Sequence, residues 1–144
     1  MTPSAFTGTF SYRAMHDNLD LDIAFDNLRF ATGLIELHET GVGRVEGRVS
    51  GTGWGTWTDW HLNLRGTCTY GEPNGIRMRG TNVIAGEPWI YDYRGYLMPH
   101  WPGADSVRDV IVGSVIRSNS RASHGAEAGL FASFYAVRHP DAGL

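Results

Sequence analysis

Lysine is absent from this 144-residue chain: all twelve basic residues are arginine. That excludes a Schiff-base lysine and the lysine of a phosphate-cradling P-loop. It also excludes a lysine-rich amphipathic membrane anchor. Cysteine occurs once, at Cys68, so no intrachain disulfide can form. Long apolar runs are lacking too, and none approaches the ~18 residues of a membrane span. The opening MTPSAFTGTFSYR has neither the charged n-region nor the apolar h-region of a secretory signal. A cytoplasmic protein with no membrane partner is therefore expected. The net charge of −3 is mild and offers no electrostatic footprint for nucleic acid. No Gly-x-Ser-x-Gly is present, so a nucleophile elbow has no support.

What is there is ordinary for a globular domain, with 42% apolar and 19% charged residues. We read residues 1–144 as one domain. Apolar residues alternate with period two near 6–13, 28–38, 44–50, 60–70, 76–85, 89–98, 109–118 and 129–138, and no segment keeps a helical period. The expected fold class is all-β: a single closed eight-stranded antiparallel up-and-down barrel. Eight is the strand number that closes around side chains or one small ligand.

Glu72-Pro73-Asn74-Gly75 is a hairpin turn, because Pro presets one turn residue and Asn-Gly supplies positive φ. Folding there sets Cys68 beside Met78 and Gly66 beside Gly80. A second turn at Gly86-Glu87-Pro88 sets Asn82 beside Tyr91 and Gly80 beside Tyr93. Both foldings put the same apolar face inward and leave Arg65, Arg77, Arg79, Asp92 and Arg94 in solvent, with Asp92 able to pair Arg79. The apolar phase flips at Thr32-Gly33, which predicts a bulge.

Loop length orients the barrel. The connections 14–27, 51–59, 86–88 and 119–128 fall at one end, and three of them are long. Long loops on a rigid scaffold are where binding resides, so the mouth is expected there. Tyr12, Phe30, Val49, Leu62, Asn82, Trp89, Tyr91, Ile116 and Leu130 would ring it, with His16, Asp17, Trp54, Trp57 and His124 above. The opposite loop, Pro99-His100-Trp101-Pro102, reads as a plug for the floor.

Eight antiparallel strands, the Gly55-Thr56-Trp57 element and an apolar lumen resemble the calycin-type barrel of lipocalins and avidins. They also resemble the allene-oxide-cyclase-like barrels used by bacterial cyclases. In lipocalins the Gly-x-Trp element lies on the first strand, whereas here it falls mid-chain in a loop. The likeness is one of architecture, and no family residue is carried across.

Gly51-Thr52-Gly53-Trp54-Gly55 has the composition of a phosphate loop, but no helix follows it. Trp54 and Trp57 read better as a cap over an apolar ligand or over the barrel's own rim. Asp17, Asp20, Asp22 and Asp26 fail the EF-hand spacing. The six histidines show no metal-ligand spacing, so no metal and no cofactor are expected. Asn82 is a polar residue in an apolar lumen and needs a hydrogen-bond partner. Tyr91 opposite it completes a polar handle of the kind that orients small molecules. His16 beside Asp17 is the candidate general base.

The expected function is therefore a hydrophobic small-molecule binder acting as a cofactor-free enzyme of the cyclase or isomerase type. Tyr91, Asn82, His16 and Asp17 are the catalytic candidates. Tyr12, Phe30, Leu62, Trp54, Trp57, Trp89 and Tyr93 are the binding ones. A non-catalytic carrier with the same pocket is the alternative. Strands 109–118 and 129–138 are apolar on both faces, which predicts a homodimer through their outer faces.

Overall fold

A computed structural model of the chain describes residues 5–53, 60–99, 102–103, 108–119 and 128–140. The eight strands are β1 (Gly8–His16), β2 (Arg29–Gly41), β3 (Arg44–Gly53), β4 (Trp60–Thr69), β5 (Gly75–Ile84), β6 (Glu87–Leu97), β7 (Val110–Arg117) and β8 (Phe131–Arg138). Each pairs antiparallel with its sequence neighbours, and β1 pairs with β8, which closes the barrel in up-and-down order. A single 3₁₀ turn, Phe25–Leu28, leads into β2.

The period-two pattern sets the two faces. In β6, Trp89, Tyr91, Tyr93 and Gly95 point inward and are buried, while Arg94 and Tyr96 between them point outward. The inward set from all strands forms one core that includes Phe10, Tyr12, Ile35, Val49, Leu62, Met78, Val115 and Phe134. The expected bulge occurs, with the β2–β3 register shifting between Thr32 and Gly33. Arg79 and Asp92 pair as expected, through Nε–Oδ1 at 2.8 Å and Nη2–Oδ2 at 3.0 Å.

Two hairpin registers differ from expectation. Cys68 faces Ile76 rather than Met78, and Gly66 faces Met78. On the next hairpin Gly80 faces Tyr91 and Asn82 faces Trp89. Each slip is even, so every side chain keeps its face. The causes lie in the turns. The Asn74 side chain accepts from Gly71 N at 2.8 Å and closes that loop early, leaving Gly75 already in the ladder. The second turn is Ala85-Gly86, with φ of 53° and 80°, between paired Ile84 and Glu87. Two successive positive φ values make the I′-type hairpin that matches strand twist, here with an alanine in a place favouring Asn or Gly.

Gly66 allows the close approach of β4 and β5. A Cβ there would lie 1.8 Å from the carbonyl oxygen of Arg77 and 2.7 Å from Met78 Cα. Only glycine permits a barrel wall to coil that tightly.

The floor is closed by the segment before β1. Phe6 is fully buried under the strand ends. Arg138 locks it there, donating to the carbonyls of Ala5 and Thr7 at 2.6 Å each and to Asp109 at 2.9 Å, while lying over Phe10. Of the expected plug, His100 and Trp101 lie outside the described residues. Among the described residues no helix is long and apolar enough to cross a membrane.

Candidate ligand site at the barrel mouth

The alternation of β1, β2, β4 and β6 brings Tyr12, Phe30, Leu62, Trp89, Tyr91 and Tyr93 into the interior, and all six are buried. Their rings form a connected layer. Tyr12 meets Tyr93 edge-on at 6.2 Å, and both pack on Phe134. Tyr91 touches Trp89 and Phe30, and His16 stands edge-on to Phe30 at 4.9 Å. Tyr12 and Tyr93 therefore belong to a packed middle layer, whereas His16, Phe30, Trp89 and Tyr91 lie toward the mouth.

The residue that sequence reasoning missed is Arg117, which is only 6% exposed. Its Nε donates to Tyr91 Oη at 3.0 Å, and its guanidinium lies over the Tyr91 ring at 5.7 Å. Both faces of β7 are apolar over most of its length, and the mouth-lining reading took Ile116 inward. In the structure Ile111, Val115 and Arg117 are buried, and Ile116 is 41% exposed. The available signal was the inward row itself, since Arg117 follows Val115 at the strand period.

Electrostatics distinguish the catalytic candidates. The His16 imidazole is held below its ordinary 6.5, first by burial and then by the positive charge of Arg117, with Asp17 opposing. At neutral pH it is the neutral, proton-accepting form. Asp17 does not orient it, because its carboxylate accepts from Ser133 Oγ at 2.7 Å on the outer side of β8. The phenols of Tyr12 and Tyr93 are pushed far up by burial and stay neutral. They influence each other's ionisation, yet neither hydroxyl makes a hydrogen bond of ordinary geometry.

The expected Asn82–Tyr91 handle does not form. Asn82 sits opposite Trp89 and donates to the His61 carbonyl at 2.8 Å, while its own oxygen accepts from Val83 N. The two-residue register slip is the reason, and Arg117 takes the place Asn82 was expected to fill beside Tyr91. Trp54, Trp57 and His124 lie outside the described residues. The chain matches no protein-family model, and no curated protein or solved structure matches it significantly.

The cavities with described linings are on the outer wall. One of about 910 Å³ runs over the outside of β1–β5 past Thr9, Glu36, Arg48, Asn63 and Thr81. The middle of the lumen is packed by rings, and Arg117, Tyr91 and His16 lie toward one end of it. There a cation, a phenol and a neutral imidazole stand around apolar walls.

Proposed function

We propose that the barrel binds a small, largely apolar molecule at its mouth, with a carbonyl or carboxylate of that molecule meeting the Arg117 guanidinium. The observation that carries this reading is Arg117 itself, a buried cation turned inward among aromatic rings and hydrogen-bonded to Tyr91. Apolar walls with a few convergent polar groups are the usual make-up of small-molecule sites.

In the enzymatic form of the proposal, the reaction is a cofactor-free isomerisation or cyclisation. His16 accepts a proton from carbon next to the carbonyl, and Arg117 stabilises the negative charge that develops on oxygen. The carrier form is favoured by one observation. Asp17 and Asn82 are engaged elsewhere, so His16 lacks the orienting carboxylate of a built acid–base pair. A cytoplasmic setting belongs to the same proposal.

The test is native mass spectrometry of the purified chain with identification of any retained compound, repeated on Arg117→Met. Wild type is expected to retain a compound with an acceptor oxygen that the variant loses. Equal retention by both removes Arg117 from the site. Incubation of the retained compound with protein then separates turnover from storage.

The homodimer is proposed on the outer faces of β7 and β8. Ile116 and Phe131 are paired there, 41% and 53% exposed, with Val112 and Tyr135 alongside. Light scattering at micromolar concentration is expected to give twice the chain mass, and a clean monomer refutes it.

A further inference from the structure

The outer wall carries a charge arrangement that the mouth does not explain. Arg44, Arg48, Arg65, Arg77, Arg79 and Arg94, six of the twelve arginines, all lie on the outward side of β3–β6. Register sorts them into rows. One row runs Glu46, Arg65, Arg79, Asp92, so each arginine stands next to a carboxylate, and ion pairs form at 3.6 Å and 2.8 Å. The neighbouring row runs Arg44, Thr67, Arg77, Arg94, Ser114 and contains no carboxylate. In it Arg77 and Arg94 are direct cross-strand partners. Like charges placed directly opposite each other weaken a sheet.

Among the described residues neither Arg77 nor Arg94 has a hydrogen-bonded or ion-paired partner. Together with Arg79 and Ser114 they line a groove of about 640 Å³. Asp92 lines it too, but both of its oxygens are occupied, by Arg79 and by the Ser118 hydroxyl. The carboxylate is thus neutralised in place and leaves the two facing guanidiniums as the groove's net charge.

We infer that Arg77 and Arg94, with the Ser114 hydroxyl, form a binding site for a tetrahedral oxyanion of the phosphate type. Two planar forks on adjacent strands meet one such anion from two sides, and each supplies paired N–H donors. The hydroxyl on the next strand gives a further donor. Both arginines are exposed, so binding is weak and falls with ionic strength. The site lies on the outer wall and does not depend on the reading of the mouth, but its groove is also lined by Ile116 and Phe131, so it competes with the proposed homodimer for that face. The same chemistry is offered by free phosphate and by the head of a phosphate monoester.

Inorganic phosphate titrated into the full chain at constant ionic strength, followed by the arginine Nε–H resonances, tests the site. Arg77 and Arg94 are expected to shift along one saturable curve while Arg13, on β1, stays still. Arg77→Gln and Arg94→Gln are each expected to weaken binding about tenfold, the loss of one charged contact. Without phosphate at low salt, each variant is expected to melt higher than wild type, because the opposed charges are gone. A linear shift shared by all arginines, or unchanged affinity in both variants, overturns the site. Phenyl phosphate distinguishes the sources: binding at least as tight as inorganic phosphate assigns a monoester, and weaker binding assigns the free anion.

Discussion

Replacing Tyr91 by Phe isolates the contact on which the proposed mouth site rests. The ring stays, with its packing on Trp89 and Phe30, and only the hydroxyl is lost. That hydroxyl accepts from the Nε of Arg117 at 3.0 Å, and both residues are buried. Hydrogen bonds to charged groups contribute about 1.5–3 kcal/mol. Relief from burying a hydroxyl offsets part of this, so about 2 kcal/mol is expected. For a domain of this length that is a fall in Tm of about 4–8 °C. Tyr12→Phe is the control, since the Tyr12 hydroxyl is buried without an ordinary hydrogen bond. Its removal is expected to be neutral or slightly stabilising. Urea unfolding followed by tryptophan fluorescence measures both. A double-mutant cycle with Arg117→Met then assigns the coupling to this pair. Equal effects of Tyr91→Phe and Tyr12→Phe, or a coupling near zero, refute the reasoning.

Two further outcomes follow from the same structure. The folded chain holds His16 below its ordinary 6.5, so the unfolded chain takes up that proton first as pH falls. The contribution of neutral His16 is fully present above about pH 6.5 and is lost on acidification below it. His16→Gln flattens that part of the stability–pH curve, and Asp92, whose pKa lies below 3.8, acts only in a lower window. An unchanged slope between wild type and variant refutes the assignment. Gly66→Ala places a Cβ 1.8 Å from Arg77 O, so β4 and β5 must separate. Overpacking of this kind costs about 1–3 kcal/mol, and a denaturation midpoint equal to wild type would show that the strands yield freely.

Strand number, order and facing were legible because the side-chain period in a strand is two and one side of each strand here is buried. Trp89, Tyr91 and Tyr93 could point nowhere but inward once Arg94 and Tyr96 were in solvent. Register within the hairpins was not legible. An even slip preserves the faces, so the hydrophobic pattern cannot detect it, and the positive φ at Ala85 has no compositional signal. The candidate site suffered from both limits. Asn82 moved away from Tyr91 through the slip. Arg117 was hidden because β7 is apolar on both sides and its phase could not be chosen from alternation. Side-chain choices made by tertiary contact, such as Asp17 turning to Ser133, lie beyond local pattern altogether.

The two ends of the barrel use arginine differently. At the floor, one guanidinium satisfies two backbone carbonyls and a carboxylate, and Phe6 fills the space beneath the strands. Every donor used there goes to the protein's own backbone or to Asp109, which makes a fixed wall. Toward the other end the buried Arg117 guanidinium donates to a phenol on the inward face, beside an imidazole held neutral first by burial and then by that charge. The ligand-binding reading proposed above accordingly rests on the inward position of Arg117 beside Tyr91 and His16, not on any difference in strand geometry.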